Sequence, residues 1–269
     1  MNFFEAIIFG LIQGATEFLP ISSSGHLVLA HALFGTDDVG LAYDVALHLG
    51  TLLAILIYFF TDFWQIAKAL IGGHQDPAEN TRLRLLAAAI CVGTIPGVIA
   101  GLLLGDMAEE YFRNPLMVAL SLTGFGLLLL VADKTGKRSR DLKELTMVDA
   151  IIIGLSQALA IIPGVSRSGI TITSGLFANL NRQAAVRFSF LLSAPIIAGA
   201  GVYKIPEIIS QGVLTDQAGY YLAGFLSSAV SGYLFIAFLM RFIKARSFAI
   251  FSYYRFGLAA LVVTAYLLT

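Results

Sequence analysis

Between Gln13 and His26 the chain reads QGATEFLPISSSGH, which sets an acid, three serines and an imidazole inside a stretch that is otherwise apolar. Gln13 and Glu17 stand four apart and so share one helical face. Beyond the proline, Ser22, Ser23 and Ser24 offer hydroxyls, Gly25 offers an open main-chain N–H, and His26 offers a proton donor or acceptor. Much further on, PGVSRSG at 163–169 has the form of a turn feeding a helix N-terminus, where N–H groups and the helix dipole favour an anion. There Ser166, Ser168 and Gly169 surround Arg167, whose fixed fork of donors suits phosphate oxygens. A third contributor is AYDVALHLG, in which Asp44 and His48 are again four apart, so that the carboxylate could orient the imidazole or both could approach a metal. A metal and an arginine for the oxygens, with a nucleophile beside a base, are the parts of phosphoryl transfer.

The elements that must position these groups belong to a bilayer. Of 269 residues, 58 % are apolar and only 13 % charged, and the mean hydropathy is positive, so the chain cannot present an ordinary water-facing surface. Seventeen basic residues balance seventeen acidic ones, which removes the basic patch a nucleic-acid partner requires. Cys91 is the single cysteine; no disulfide can form within the chain, and its apolar surroundings predict a small buried side chain. No lysine or arginine precedes the first apolar stretch, so no cleavable signal peptide is expected. Apolar runs at 41–61, 83–105, 115–133, 184–204, 219–240 and 249–269 predict six transmembrane helices.

Two more apolar stretches, 3–33 and 147–178, are broken in the middle by proline, glycine and serine. Lipid cannot satisfy a broken backbone, so each must be buried in protein or line a wet cavity; both read as re-entrant helical hairpins. They are also copies: GLIQGATEFLPISSSG from Gly10 aligns with GLSQALAIIPGVSRSG from Gly154 at a constant offset of 144, with the proline slipping by one. Each hairpin is followed by three spans, an odd number of crossings, so the copies 1–133 and 147–269 should be inverted repeats within a single all-α integral membrane domain spanning 1–269, joined by a linker at 134–146. With that linker cytoplasmic, its five basic residues are joined by Lys68, Arg82, Arg84, Arg182, Arg187, Arg241, Lys244 and Arg246, against only Arg113 and Lys204 opposite. Such a positive-inside bias places both termini outside the cell, with the first hairpin entering from outside and the serine-rich tips meeting near the midplane.

The copies differ where chemistry would sit. Glu17 corresponds to Ile161, Ser23 to Arg167 and His26 to Ile170, so one tip carries acid and imidazole and the other a guanidinium. An ionisable group at the bilayer centre costs at least ~2.5 kcal/mol on insertion scales and is usually paired or functional. Complementary charge on opposed tips predicts one composite site. Plainer readings stand beside this one: serine and glycine in broken helices also permit close packing, His31 reads as interfacial, Asp44 as a helix-end residue, and His48 as a bond to a neighbouring helix. Arg255 is near enough to the cytoplasmic end of its run to snorkel, and Tyr253 and Tyr254 read as interface anchors.

At these residues the chain resembles the bacterial undecaprenyl-diphosphate phosphatases, also described as bacitracin-resistance proteins. QGATEFLPISSSGH matches the family's (Glu/Gln)-x-x-x-Glu helix and Pro-x-Ser-Ser-(Ser/Thr)-Gly-His tip, and PGVSRSG is its second motif. The resemblance implies a multi-pass hydrolase of the bacterial plasma membrane. Its substrate would be a polyprenyl diphosphate, cut to the monophosphate and inorganic phosphate, which recycles the carrier lipid for peptidoglycan and other cell-wall glycans and confers bacitracin resistance. A divalent metal, Mg²⁺ or Ca²⁺, comes with the family. Carried over by residue, Glu17 is its acidic metal-associated position, Ser23 and His26 its catalytic tip, and Arg167 its phosphate-binding arginine. The residues themselves place Ser22, Ser24, Gly25, Ser166, Ser168, Gly169 and His48 around the substrate. Gln13 departs from members with glutamate there, which leaves Glu17 to hold the metal with Gln13, Asp44, a serine or the substrate itself. His26 would activate Ser23 or water, or attack directly. The partners expected are the lipid substrate and membrane lipids; whether the chain pairs with a second copy is open. The rival reading is a transporter or flippase of a phosphate-bearing lipid or anion, because inverted repeats with broken helices also build transporters.

Overall fold

The computed structural model describes residues 2–34, 40–111, 114–210 and 218–268; Arg113 and the side chain of His31 lie outside the described residues. Its helices are α1 (Phe3–Phe18), α2 (Ser23–Phe34), α3 (Gly40–Tyr58), α4 (Phe60–Leu70), α5 (Pro77–Tyr111), α6 (Pro115–Thr135), α7 (Met147–Ala158), α8 (Arg167–Phe177), α9 (Arg182–Ser210), α10 (Ala218–Phe242) and α11 (Ala249–Leu268). Among the described residues five helical stretches are long and apolar enough to cross a membrane: Pro77–Gly105, Pro115–Thr135, Arg182–Lys204, Ala218–Phe242 and Ala249–Leu268. The pair Tyr43–Tyr58 and Phe60–Leu70, bent by 72°, supplies a sixth. These coincide with the six predicted apolar runs, and the chain is a multi-pass, all-helical membrane protein.

Both broken segments are helix–break–helix units, and their breaks have the same physical cause. Asn2 starts α1 with a capping box to Glu5, and Thr146 starts α7 with the same device to Asp149. Each first helix stops before a proline, whose ring drives the preceding residue out of the helical region: Leu19 before Pro20 and Ile162 before Pro163 are both extended. Each second helix then begins after a serine at positive φ, Ser22 at 76° and Ser166 at 69°.

Helix packing also repeats between the halves. α1 lies against α10, and its counterpart α7 lies against α5; α3 packs on α10 as α9 packs on α5, while α3 meets α9 and α6 meets α11. Equivalent glycines make two of the close approaches possible. A Cβ on Gly10 would come within 2.4 Å of the Gly224 carbonyl oxygen, and one on Gly154 within 2.5 Å of the Gly93 carbonyl oxygen. Small residues at such crossings let helix backbones approach in lipid, where no hydrophobic drive separates helix from solvent.

Two expectations are corrected. Cys91 is exposed, because α5 turns Ala89 and Ile90 inward and the next residue is carried round to the outer face. Arg255 does not snorkel. It is fully buried on the face of α11 that also carries Ser252, Leu258 and Ala259, turned toward α6, while Tyr253 and Tyr254 take the outward side.

Candidate active site

Glu17, on the last turn of α1, is the hub. Its Oε2 accepts hydrogen bonds from Ser23 Oγ at 2.7 Å and from Gln13 Nε2 at 3.1 Å, and its Oε1 accepts from Arg167 Nη2 at 2.5 Å. His48 Nε2 from α3 stands 3.6 Å from Oε2. Glu17 is buried and Arg167 is only slightly exposed, so the ion pair joins the two tips largely inside the protein rather than across water. The composite site expected from the charge difference between the copies is therefore assembled, with Gln13, Glu17, Ser23, His48 and Arg167 in contact.

The serines divide by role. Ser22 Oγ accepts from Gly25 N at 3.4 Å and Ser166 Oγ accepts from Gly169 N at 3.1 Å, so each caps the helix that follows it. Ser24 and Ser168 stand beside these caps, Oγ to Oγ at 3.2 and 3.3 Å, and Ser168 also donates to the Leu19 carbonyl of the other tip at 3.2 Å. The Gly25 and Gly169 N–H groups, expected to face the substrate, are engaged by the caps.

His26 is held by a network that fixes its tautomer. Nδ1 lies 2.7 Å from the Ser22 carbonyl, which can only accept, so Nδ1 carries the proton; Nε2 is then the acceptor for the Tyr254 hydroxyl at 2.7 Å. The Tyr254 ring stacks on the imidazole, with centroids 5.6 Å apart and planes 7° from parallel. Thus His26 addresses Tyr254 while the Ser23 hydroxyl addresses Glu17. Tyr254 was expected as an interface anchor and proves to touch the site; one signal for it in the sequence is its place beside Arg255, a charge in an apolar run. On α3, His48 Nδ1 meets the main-chain carbonyl of Asp44 at 2.7 Å, so the one-turn spacing works through the backbone.

Two buried polar atoms at the hub have no partner among the described residues, the acceptor Gln13 Oε1 and the donor Arg167 Nη1. Leaving such a group unpaired costs about 1–3 kcal/mol, so each marks where a ligand would be welcomed. Among the described residues no three of His, Cys, Asp and Glu converge as a metal site, and Asp44 does not join Glu17 and His48 in one. The Glu17 carboxylate and the unpartnered Gln13 Oε1 are oxygen donors of the type a hard cation takes. A cavity of about 700 Å³ lies between α1, α10 and α11, walled by Leu11, Phe235, Phe238 and Phe251 and reaching His26 and Tyr254.

A helical membrane protein with an arginine, a carboxylate and a hydroxyl joined across two broken helices, and with an apolar cavity alongside, belongs to the class that handles a charged headgroup on a lipid chain. Residues 6–261 match the family model described as bacitracin resistance protein BacA, and the chain belongs to that family. Similar proteins named undecaprenyl-diphosphatase occur in Moorella thermoacetica, at 46 % identity over 99 % of this chain and 98 % of that one. Another is found in Rubrobacter xylanophilus, at 45 % over 100 % of both. In Hahella chejuensis the identity is 47 %, over 97 % of both chains.

Proposed function

We propose that this protein hydrolyses undecaprenyl diphosphate to undecaprenyl phosphate and inorganic phosphate. The observation that carries the reading is the junction of Ser23 and Arg167 on one carboxylate, Glu17, with Arg167 Nη1 buried and unpaired beside it. A diphosphate entering the site gives Nη1 an oxygen partner and competes with Glu17 for the rest of the guanidinium. Release from the guanidinium makes Glu17 a better proton acceptor, and the proton it receives is that of Ser23 Oγ, already 2.7 Å away. Ser23 Oγ then forms a bond to the terminal phosphorus while the bond from that phosphorus to the bridging oxygen breaks. The bridging oxygen leaves as part of the lipid monophosphate, its charge held by Arg167. Water, deprotonated by His26 once Nε2 leaves the Tyr254 hydroxyl, attacks the phosphorus; the bond from phosphorus to Ser23 Oγ breaks, Glu17 returns its proton to that Oγ, and phosphate is released. Mg²⁺ or Ca²⁺ would be held by Glu17 and Gln13, where it would neutralise phosphate charge.

The prenyl chain remains in the membrane and reaches the site sideways along the cavity between α1, α10 and α11. In the topology expected from the sequence the basic residues gather in the cytoplasmic loops, which supports a site that opens on the extracytoplasmic side with both termini. Its product re-enters the supply of carrier lipid for cell-wall glycans, and faster recycling accounts for resistance to bacitracin.

Phosphate release from a polyprenyl diphosphate by the pure protein in detergent tests the reaction. Sidedness does not exist there, so an enzyme turns over and a transporter does not. Rapid quenching should trap phosphate on wild-type protein and none on Ser23→Ala; label retained by Ser23→Ala would transfer the nucleophile role to His26. For orientation, the exposed Ser24 replaced by cysteine in a Cys91→Ser background should react with impermeant maleimide in intact cells. Reaction only after permeabilisation reverses the topology.

A further inference from the structure

Arg255 is fully buried in α11, and among the described residues every hydrogen-bond partner of its guanidinium is a main-chain carbonyl. Nε donates to Leu122 O at 3.1 Å, and Nη2 donates to Ser121 O at 3.4 Å, Gly164 O at 2.8 Å and Val165 O at 3.1 Å. Nη1 reaches Pro20 O at 3.5 Å. Pro20 and Gly164 are equivalent positions under the 144-residue offset, each two residues before the positive-φ serine that caps the second helix of its unit. One guanidinium therefore holds the same carbonyl in both breaks and ties both to α6. Nη1 also comes so near α8 that a Cβ on Gly169 would lie 2.9 Å from it. A buried cation satisfied by neutral carbonyls is costly to keep, and the fork of donors is what allows one side chain to span two loops.

We propose that Arg255 is a positioning residue that sets the spacing of the two tips, and through it the distance from Ser23 and Glu17 to Arg167. It rests on the phosphatase reading above. Small errors in that spacing are expensive, since misplacement by about 1 Å can cost on the order of a hundredfold in rate. Lysine keeps the charge but concentrates its donors on one nitrogen, so it cannot hold both breaks. Arg255→Lys should lower kcat, measured on monodisperse protein, by roughly tenfold to a hundredfold while KM moves little. Amide exchange read by mass spectrometry should quicken in both tips, 20–26 and 164–170, and stay unchanged in α10. Arg255→Met, which removes the charge at similar length, should show the same pattern.

An Arg255→Lys protein with kcat within about twofold of wild type overturns the proposal. So does exchange that rises through the whole molecule or in neither tip, and so does failure of both variants to yield monodisperse protein, each of which makes Arg255 a packing residue. Wild-type protein that releases no phosphate refutes the phosphatase reading alone, because the exchange measurement needs no substrate.

Discussion

The two broken units share a scaffold and divide the chemistry. Ser22 and Ser166 take the same unusual φ, cap the same third residue, and stand beside equivalent serines, Ser24 and Ser168. Even Gln13 and Gln157 correspond, and both are buried with the amide oxygen unpartnered. Yet at three positions on this frame the first unit has Glu17, Ser23 and His26 where the second has Ile161, Arg167 and Ile170. Position in the frame determines what each change can do. Glu17 sits where α1 faces the opposite tip and takes Arg167 as its partner, while Ile170, at the place of His26, packs into the interior. Folding requires the backbone device twice; the reaction requires unlike side chains on the two copies.

The largest effect should come from exchanging those side chains. Arg167→Ala removes the donor that carries phosphate charge, and arginines in this role are worth about 10³-fold or more in turnover. Phosphate release in detergent from the pure variant should fall by at least roughly that factor. Ser23→Arg combined with Arg167→Ser moves the guanidinium to the other tip and should do no better than Arg167→Ala, since Glu17 and His26 stay behind. Recovery in the double variant would mean that the tips are interchangeable.

Much of this division was legible before any coordinates. Span lengths followed from unbroken apolar runs, the breaks from prolines flanked by serine, and the partnership of Glu17 with Arg167 from charges that had no apolar excuse. What was not legible lies on α11. A lone arginine near one end of an apolar run has two outcomes, snorkelling or burial, and only the helix's rotation chooses between them. Ser252, Arg255 and Ala259 share a face by spacing, but nothing local says that the face turns toward α6 and the tips. Tyr254, one residue earlier, was hidden for the same reason, among aromatic residues that line any membrane helix. Cys91 shows the converse, an apolar neighbourhood in sequence and an outward direction in space.

An intermediate effect tests whether the second tip can accept the chemistry of the first. Ile170 is 6 % exposed, so Ile170→His buries an imidazole at the position equivalent to His26, while the Tyr254 hydroxyl is already engaged by His26. An unpaired buried polar group should cost about 1–3 kcal/mol, seen as a lowered unfolding temperature in detergent, with no gain in phosphate release. Unchanged stability would show that this site in the second unit can satisfy a polar side chain, and the contrast between Ile170 and His26 would then be one of history rather than environment.

The smallest effects should come from the shared frame, and they should be equal. Ser22→Ala and Ser166→Ala each remove a cap and keep a Cβ at positive φ, for a loss of about 1 kcal/mol. Glycine loses the cap as well, but it enters positive φ freely, where other residues are strained by roughly 1–2 kcal/mol. Ser22→Gly and Ser166→Gly should therefore lie near wild-type stability or slightly above it. Unfolding of the four variants in one detergent, compared in pairs, measures how alike the tips are as backbone structures. A gap of more than about 1 kcal/mol between the two alanine variants would show that the breaks are held differently despite their shared geometry. Agreement would confine the difference between the tips to Glu17, Ser23, His26 and Arg167.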